Sequence, residues 1–393
     1  MVAVVLALIW RQVPGVCTLQ RMLARERILW SQPTTVSQPA LSERFLSFPA
    51  VLFERVLYRV LARLPERFHT RSRPLPPALA PLAARFSALY ALDGTTLEAM
   101  FRKLATLRDQ PDAPLAGHLG VAVDLFSHLP SKLWWADGAA TNDKALAPDL
   151  VSWFKPNTLV VFDFGYFAYW LFDAISEKNA WFVTRMREKA SYRVEKVLVK
   201  RELVRDQIIQ LGLYTKKVHC THLLRLVEVN VNGRWQRYLT NVRDPEHLSV
   251  VEVVALYDAR WRVETTFLLV KRVLNLSYIW VGSINGIKLQ VFATFLFYAI
   301  VIDLCDDIAN ELGVTLEQIS VEMVLRGLYH YVTAVTQGLW SGTAVGYLAQ
   351  EAIGLGILKR PRERDGPSTP EQIRRALVAP PLPNANLTDC KGA

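Results

Sequence analysis

Tyr257, Arg260, Glu264 and Lys271 stand three, four and seven residues apart in the stretch LYDARWRVETTFLLVKRVL. An α-helix turns by about 100° per residue, which brings all four within roughly 60° of arc. One helix would then present a carboxylate between two cations and a phenol on a single stripe. A neighbouring stripe of Leu256, Val263, Phe267, Val270 and Leu274 is apolar and would seat that helix on a core. An acid able to bind a metal, flanked by groups able to hold phosphate, is the equipment for cutting DNA. The same spacing also describes a solvated charged face, where Arg and Glu at i,i+4 support each other. For the segment alone that is the commoner meaning.

Two further acids sit where a sheet would offer them. Asp93 ends a predicted strand in LYALDGTTLE, and Gly94 after it lets the backbone turn tightly. Asp163 ends LVVFD, directly before Phe164, Gly165 and Tyr166, where the strand gives way to a helix. Strand ends next to helix starts are where α/β sheets place their sites. With Glu264 this makes three carboxylates, separated by 163 − 93 = 70 and 264 − 163 = 101 residues. Hard cations such as Mg²⁺ take oxygen ligands. Two of them about 3.5–4 Å apart activate a water or a 3′-hydroxyl and stabilise the leaving oxygen of a phosphoryl transfer. The expected division has Asp93 bridging both metals, Asp163 on one and Glu264 on the other. Asp before Gly is first of all a turn signal. Asp124, Asp137 and Asp173 have comparable local appearance.

The chain has 393 residues, 51% hydrophobic and 21% charged, with a net charge of +10. That is enough for a large core and more than one domain. The excess of Lys and Arg favours polyanionic partners and salt-sensitive association with nucleic acid, although many basic proteins bind nothing specific. Four cysteines (Cys17, Cys220, Cys305, Cys390) lie far apart, so they read as thiols of a reducing compartment. His219, Cys220 and His222 cluster, but a zinc site needs a second ligand pair and none is spaced for it. The opening MVAVVLALIW lacks a basic lead and a cleavage site, so no secretory signal is expected. The longest apolar run, Leu289 to Ile302, has 14 residues against the roughly 20 a membrane span needs, and reads as a core helix. A soluble, cytoplasmic protein with no membrane contact is expected.

The elements that must position these residues follow from the pattern. Residues 1–64 are rich in helix formers, with arginines at Arg21, Arg25, Arg27 and Arg44. A helix beginning near Pro39 could complete a helix-turn-helix for binding DNA ends, or belong to a plain helical subdomain. Residues 65–84 carry a cluster of prolines and read as a linker. Residues 85–189 alternate strand and helix signals: FSALYALD, GVAVDLF, SKLWWAD, LVVFD and WFVTRM as strands, with a helix over YFAYWLFDAISEKN. Residues 190–250 read as an antiparallel β segment with a hairpin turn at Asn232-Gly233. Residues 251–357 complete the core with helices, and 358–393, rich in proline and charge, read as a poorly ordered tail.

At this point the chain resembles the DDE transposases of bacterial insertion sequences, in the insertion-sequence-four family. Tyr257, Arg260, Glu264 and Lys271 match that family's Tyr-x2-Arg-x3-Glu-x6-Lys signature at every position. LDGTTL around Asp93 is similar to its first-aspartate segment, FDFGY around Asp163 to its second, and YLTNVRDP (Tyr238 to Pro245) to its late insertion strand. The resemblance covers roughly residues 85–300. It implies an α/β fold of the ribonuclease H-like kind: a mixed sheet flanked by helices, with a β-rich insertion and a helical N-terminal domain. It implies nicking at the ends of an element with Mg²⁺, or Mn²⁺ in its place, then attack of the freed 3′-hydroxyl on target DNA. The implied catalytic and metal-binding residues are Asp93, Asp163 and Glu264. Tyr257, Arg260 and Lys271 would contact phosphates near the cleaved end, and Trp235 or Tyr238 could stack on a flipped base. A core aromatic is the commoner meaning of either.

Arg185, Arg187 and Lys189 follow the strand after Asp163 and form a candidate basic track for DNA, or a solvated basic surface. The implied partners are double-stranded DNA (terminal inverted repeats and target) and a second copy of the chain. Three other functions stay open at the level of sequence. One is a DNA-binding protein without catalysis, another a plain endonuclease without strand transfer. The third, remote, is a membrane protein, suggested only by a mean hydropathy of +0.16.

Overall fold

The computed structural model describes residues 1–13, 15–96, 118–136, 146–212, 219–276, 280, 283–360 and 369–378. Asp137, Leu97 of the first-aspartate segment and most of the expected tail beyond residue 360 lie outside them. The strands are β1 (Ala88–Thr96), β2 (His118–Asp124), β3 (Pro130–Ala136), β4 (Thr158–Phe162), β5 (Trp181–Arg185), β6 (Tyr192–Lys200), β7 (Val204–Leu211), β8 (Leu224–Val231) and β9 (Arg234–Thr240). The helices are α1 (Val2–Trp10), α2 (Val16–Arg25), α3 (Gln38–Ser47), α4 (Ala50–Leu61), α5 (Leu64–Thr70), α6 (Ala147–Trp153), α7 (Tyr169–Glu177), α8 (Val250–Ala259), α9 (Trp261–Leu268), α10 (Ile284–Leu312), α11 (Val321–Thr336), α12 (Ala344–Gln350) and α13 (Thr369–Val378). The protein is a mixed α/β structure. It divides into two compact units: Met1–Pro77 with Asp93–Asn142 and Arg262–Pro361, and Ala78–Leu92 with Asp143–Trp261 and Arg362–Ala393.

The first unit is built around α10. Its most apolar window has a mean hydropathy of 1.8, enough for a membrane span by length and composition, yet 72% of that window is buried inside the protein. Helices α1, α3, α4, α5, α11 and α12 pack on it. Val5, Ile9, Phe53 and Leu57 are among the side chains buried in this unit. Ser283 caps the start of α10 by accepting from the Gly286 amide at 3.0 Å. Gly313, at φ +63°, ends the helix in the left-handed conformation that costs glycine least. Ser37 caps α3, which places the helix start next to the Pro39 where it was expected. Arg71 and Arg73, from the stretch expected to be a linker, are fastened to α10. Arg71 pairs with Asp303 at 2.7 Å, Asp306 at 2.6 Å and Asp307 at 2.8 Å. Arg73 pairs with Asp306 and donates to the Phe126 carbonyl at 2.9 Å.

The second unit holds a mixed sheet in the order β1-β4-β5-β9-β8-β7-β6. Strands β1, β4 and β5 run parallel, and from β5 to β9 onward the pairs are antiparallel. Every residue of β4 is buried, as the unbroken apolar run of a central parallel strand requires. Phe162 of β4, Phe172 of α7 and Phe182 of β5 stack at centroid distances of 4.8–6.4 Å. The register sets Leu92 of β1 opposite Phe162 of β4. Phe162 ends β4, but β1 runs on through Asp93 and Gly94 to Thr96, so the strand end and tight turn expected at Asp93 are corrected: Asp93 lies within β1. Each of the two paired residues is followed in the sequence by an aspartate, Asp93 and Asp163.

The expected antiparallel segment is β6 to β9. Its last hairpin turns through Asn232 (φ +53°) and Gly233 (φ +80°), the two positive φ values of a type I′ turn. Arg225 and Asp206, both fully buried, pair through Nε at 2.8 Å and Nη2 at 2.7 Å. Thr369–Val378, inside the expected tail, forms α13. Its Ile373 and Ala376 are buried, and it packs on α8 and β7.

Candidate active site

In the second unit, Asp163 leaves β4 and caps the 3-10 turn Phe164–Tyr166, its Oδ1 accepting from the Gly165 amide at 2.5 Å. The -Asp-x-Gly-Tyr- order therefore works locally. Asp caps, Gly165 brings its amide to the cap, and Tyr166 packs against Phe162 at 5.9 Å. On α8, started by a Ser249–Glu252 capping box, Tyr257 is buried beside Tyr238, with ring centroids 5.3 Å apart. The Arg185 guanidinium lies 5.0 Å from the Tyr257 ring and 5.3 Å from the Tyr238 ring, and it donates to Gln236. Arg260 lies 5.6 Å from the Tyr257 ring and 5.7 Å from the Trp261 ring.

Burial pushes the Tyr257 phenol above its ordinary value. Arg260 and Arg185 oppose that, and Asp163 adds to it through its charge. Burial likewise pushes Tyr238 up to about 12. Both phenols thus keep their protons and can donate hydrogen bonds, while two guanidiniums supply positive charge beside Tyr257. Arg187 donates to the Phe164 carbonyl at 3.2 Å and lies 5.2 Å from the Phe167 ring. Lys189 is exposed farther along the same loop.

In the first unit, Asp93 Oδ1 accepts from the Gly94 amide at 2.8 Å. Two residues on, Thr95 Oγ1 accepts a hydrogen bond from Lys271 Nζ. Burial lowers the Lys271 pKa, and the charge of Asp93 works against that lowering. Glu264 sits half-buried in the first turn of α9, where a carboxylate is favoured by the helix dipole. Two residues before it, Arg262 pairs with Glu317 at 2.6 Å, and His128 meets the same carboxylate at 3.1 Å.

The expected single regular helix is corrected here. α8 ends at Ala259, α9 begins at Trp261, and Leu269–Val273 forms a π turn, closed by Leu274 N to Leu269 O at 2.9 Å. The rotation of 100° per residue therefore fails before Lys271, which leaves the regular stripe that Glu264 would set. The apolar stripe holds: Leu256, Val263, Phe267, Val270 and Leu274 are all buried.

Several candidates change meaning in three dimensions. Tyr238 is 2% exposed, so its ring has no open face for a base, whereas Trp235 is 37% exposed with Arg205 lying 4.4 Å from its centroid. The Tyr238 stacking role is withdrawn for that reason. Asp124 holds a turn through the Phe126 and Ser127 amides at 3.0 and 2.7 Å. Asp173 ties down the loop of Cys220 and His222, accepting from both the Thr221 and His222 amides and from His222 Nδ1 at 2.8 Å. Both are occupied structurally. Trp261, 62% exposed beside Arg260, was not singled out by sequence, because an aromatic on an amphipathic helix reads as core.

Asp93, Asp163 and Glu264 offer only oxygen donors, the set that suits a hard cation such as Mg²⁺. Each aspartate is oriented by a backbone amide on its Oδ1, which fixes the direction its carboxylate presents. Among the described residues, no group of three or more His, Cys, Asp or Glu is gathered as a preassembled metal centre.

A strand-end aspartate thus stands near a tyrosine–arginine cluster in one unit, and a second aspartate stands near a lysine in the other. The chain belongs to the transposase DDE domain family, whose sequence model matches residues 86–300. It is 30% identical over 168 residues to a probable transposase for insertion sequence element IS5377 of Geobacillus stearothermophilus, covering 41% of this chain and 43% of that protein. It is 29% identical over 147 residues to the putative transposase y4zB of Sinorhizobium fredii (strain NBRC 101917 / NGR234), covering 36% and 40%. The matches span less than half the length of these curated relatives. Among solved structures, a chain of the piggyBac transposase synaptic complex with hairpin DNA overlaps 72% of this chain and 60% of its own, at 12% identity and a TM-score of 0.34.

Proposed function

We propose that this chain is a transposase of the insertion-sequence-four kind, cutting DNA at the ends of its element and joining the freed 3′-hydroxyl to target DNA. The observation that carries the proposal is the register of Leu92 with Phe162, because the residues that follow them are Asp93 and Asp163. Lys271 beside Asp93 and Tyr257 beside Asp163 support it: each aspartate has a signature residue for company. Asp93, Asp163 and Glu264 would hold Mg²⁺, which supplies activation of the attacking oxygen and stabilisation of the leaving one.

The chain's own residues do the rest. Lys271 and Arg260 neutralise phosphate oxygens near the cut, and the buried Tyr257 phenol donates its O–H to one of them. Water attacks phosphorus and breaks the P–O3′ bond, leaving a 3′-hydroxyl and a 5′-phosphate. In strand transfer that hydroxyl attacks a target phosphodiester, forms a new P–O3′ bond and releases the target's own 3′-hydroxyl. Arg187 and Lys189 extend the basic path for DNA, with Arg185 holding the two tyrosines in place. Trp235 is the remaining aromatic for stacking on a displaced base.

In this proposal residues 85–189 and 251–357 form a ribonuclease H-like core around the 190–250 insertion, and residues 1–64 bind element ends. The partners are terminal inverted repeats, target DNA and a second copy of the chain, met at the nucleoid in the cytoplasm. Incubation of the protein with DNA carrying the repeats that flank its own reading frame, plus Mg²⁺ or Mn²⁺, tests it. Nicks at the repeat ends followed by joined products are expected. Cleavage without any joined product would leave a plain endonuclease instead.

A further inference from the structure

The first unit carries a second basic site that the catalytic proposal does not use. A cavity of about 500 Å³ is lined by Trp10 and Arg11 at the end of α1, Arg272 of the π turn, and Glu322, Arg326 and Tyr329 of α11. We propose that this cavity seats the sugar–phosphate backbone of DNA at a point separate from Lys271. The proposal rests on the chain acting on DNA, and adds a site to that account.

Three guanidiniums face one carboxylate among these residues. Arg11 pairs with Glu26, and Arg326 with Glu322 at 2.7 Å. All four of those side chains are at least a third exposed, and such surface pairs are worth little, so phosphate can replace either acid. Arg272 is exposed and makes no ion pair among the described residues. A guanidinium presents a planar fork that fits two phosphate oxygens. The wall behind is firm. Trp10 and Tyr329 stack at 4.7 Å and 15°, and the Tyr329 hydroxyl donates to the Trp10 carbonyl at 2.9 Å.

The π turn explains why the site exists. Lys271 and Arg272 are consecutive, yet Lys271 goes to Thr95 and Arg272 lines the cavity. Gln12 Nε2 donates to the Val273 carbonyl at 2.7 Å, which ties the turn to the end of α1. One turn thus sends two neighbouring cations to different places, and π turns recur at functional sites. A DNA strand crossing the turn meets both cations.

The test is binding of the full chain to duplex DNA carrying the element ends, followed by fluorescence anisotropy over a range of salt. The Arg272→Gln, Arg326→Gln double variant should bind more weakly, with a salt slope shallower by about 0.9 for each phosphate the variant no longer neutralises. Thermal unfolding should match the wild type. If the double variant unfolds early, charge reversal at Arg272 alone is read by the same slope. An unchanged slope in a folded variant overturns the proposal, as does a wild type that does not bind DNA. The two proposals fail separately. A shallower slope with no cleavage by the wild type would keep this site and remove the transposase. An unchanged slope alongside cleavage that needs Glu264 would do the reverse.

Discussion

Lys271 donates to Thr95 Oγ1, two residues along the strand from Asp93, although 176 residues separate the pair in sequence. Burial lowers the lysine's pKa more than Asp93 restores it. The fold therefore holds this cation in a place where burial disfavours its charge.

A lysine whose folded pKa is depressed costs stability below that pKa, and the cost fades as pH rises toward the unfolded value of 10.5. Lys271→Met should remove that dependence and raise the melting temperature of the DNA-free protein. The same variant should bind element ends more weakly, with a salt slope smaller by about 1. Calorimetry and a binding titration on one preparation check both. A variant less stable than wild type at neutral pH, with an unchanged slope, would make Lys271 a structural residue.

Below neutrality, His128 and Glu317 should govern the first unit. Burial depresses the His128 pKa below 6.5, so charging it costs stability as pH falls beneath that value. Glu317 is held down to about 2, opposed by burial and held there by the His128 hydrogen bond and by Arg262. Its contribution is full above 4.5 and is lost as pH falls through about 2. The melting temperature should decline from about pH 6.5 downward. Glu317→Gln should lower it at pH 7 and flatten the acid limb between 4.5 and 2. An acid limb identical in the variant would remove Glu317 from this role.

Arg225 and Asp206 give the clearest stability test in the second unit, since both are 0% exposed. Removing one partner of a buried pair strands the other charge, at a cost of about 3–5 kcal/mol. Arg225→Met should therefore destabilise by that amount. Arg225→Met with Asp206→Leu should recover much of the loss. Chemical denaturation of the single and double variants decides between this and a pair that contributes nothing.

Much of this was legible in the sequence for local reasons. Strands β4 and β5 announced themselves as apolar runs, Asn232-Gly233 as a hairpin turn, and Ser37-Gln38-Pro39 as a helix start. The signature residues were found by spacing, but the regular stripe does not reach Lys271. A π turn inserts an irregularity that hydrophobic periodicity does not register, because Val270 and Leu274 stay buried on either side of it. Tyr238 could be suspected of stacking because nothing local says that Tyr257 and Arg185 cover it. The hold of Arg71 and Arg73 on Asp303, Asp306 and Asp307 spans more than 230 residues, beyond the reach of any window.

That distance also changes how DNA-end recognition should be tested. Deleting residues 1–64 would strip α1, α3 and α4 from α10 and unfold the first unit, whatever those residues bind. Arg21, Arg25 and Arg44 are exposed and can be changed to Ala without touching the core. Loss of preference for the element's ends, with an unchanged melting temperature, is expected of the triple variant in a competition assay. Full preference in that variant would place end recognition elsewhere.

The central claim is that Asp93, Asp163 and Glu264 act together, and cleavage of end-bearing DNA in Mg²⁺ measures it most directly. Asp93→Asn, Asp163→Asn and Glu264→Gln should each lower the rate by at least about 100-fold, the loss expected when a group acting in the transition state is removed. DNA binding and melting temperature should stay near wild type. Asp124→Asn and Asp173→Asn, which weaken hydrogen bonds that hold a turn and a loop, should lower the melting temperature and leave turnover measurable. Wild-type cleavage by a folded Glu264→Gln protein would contradict the account.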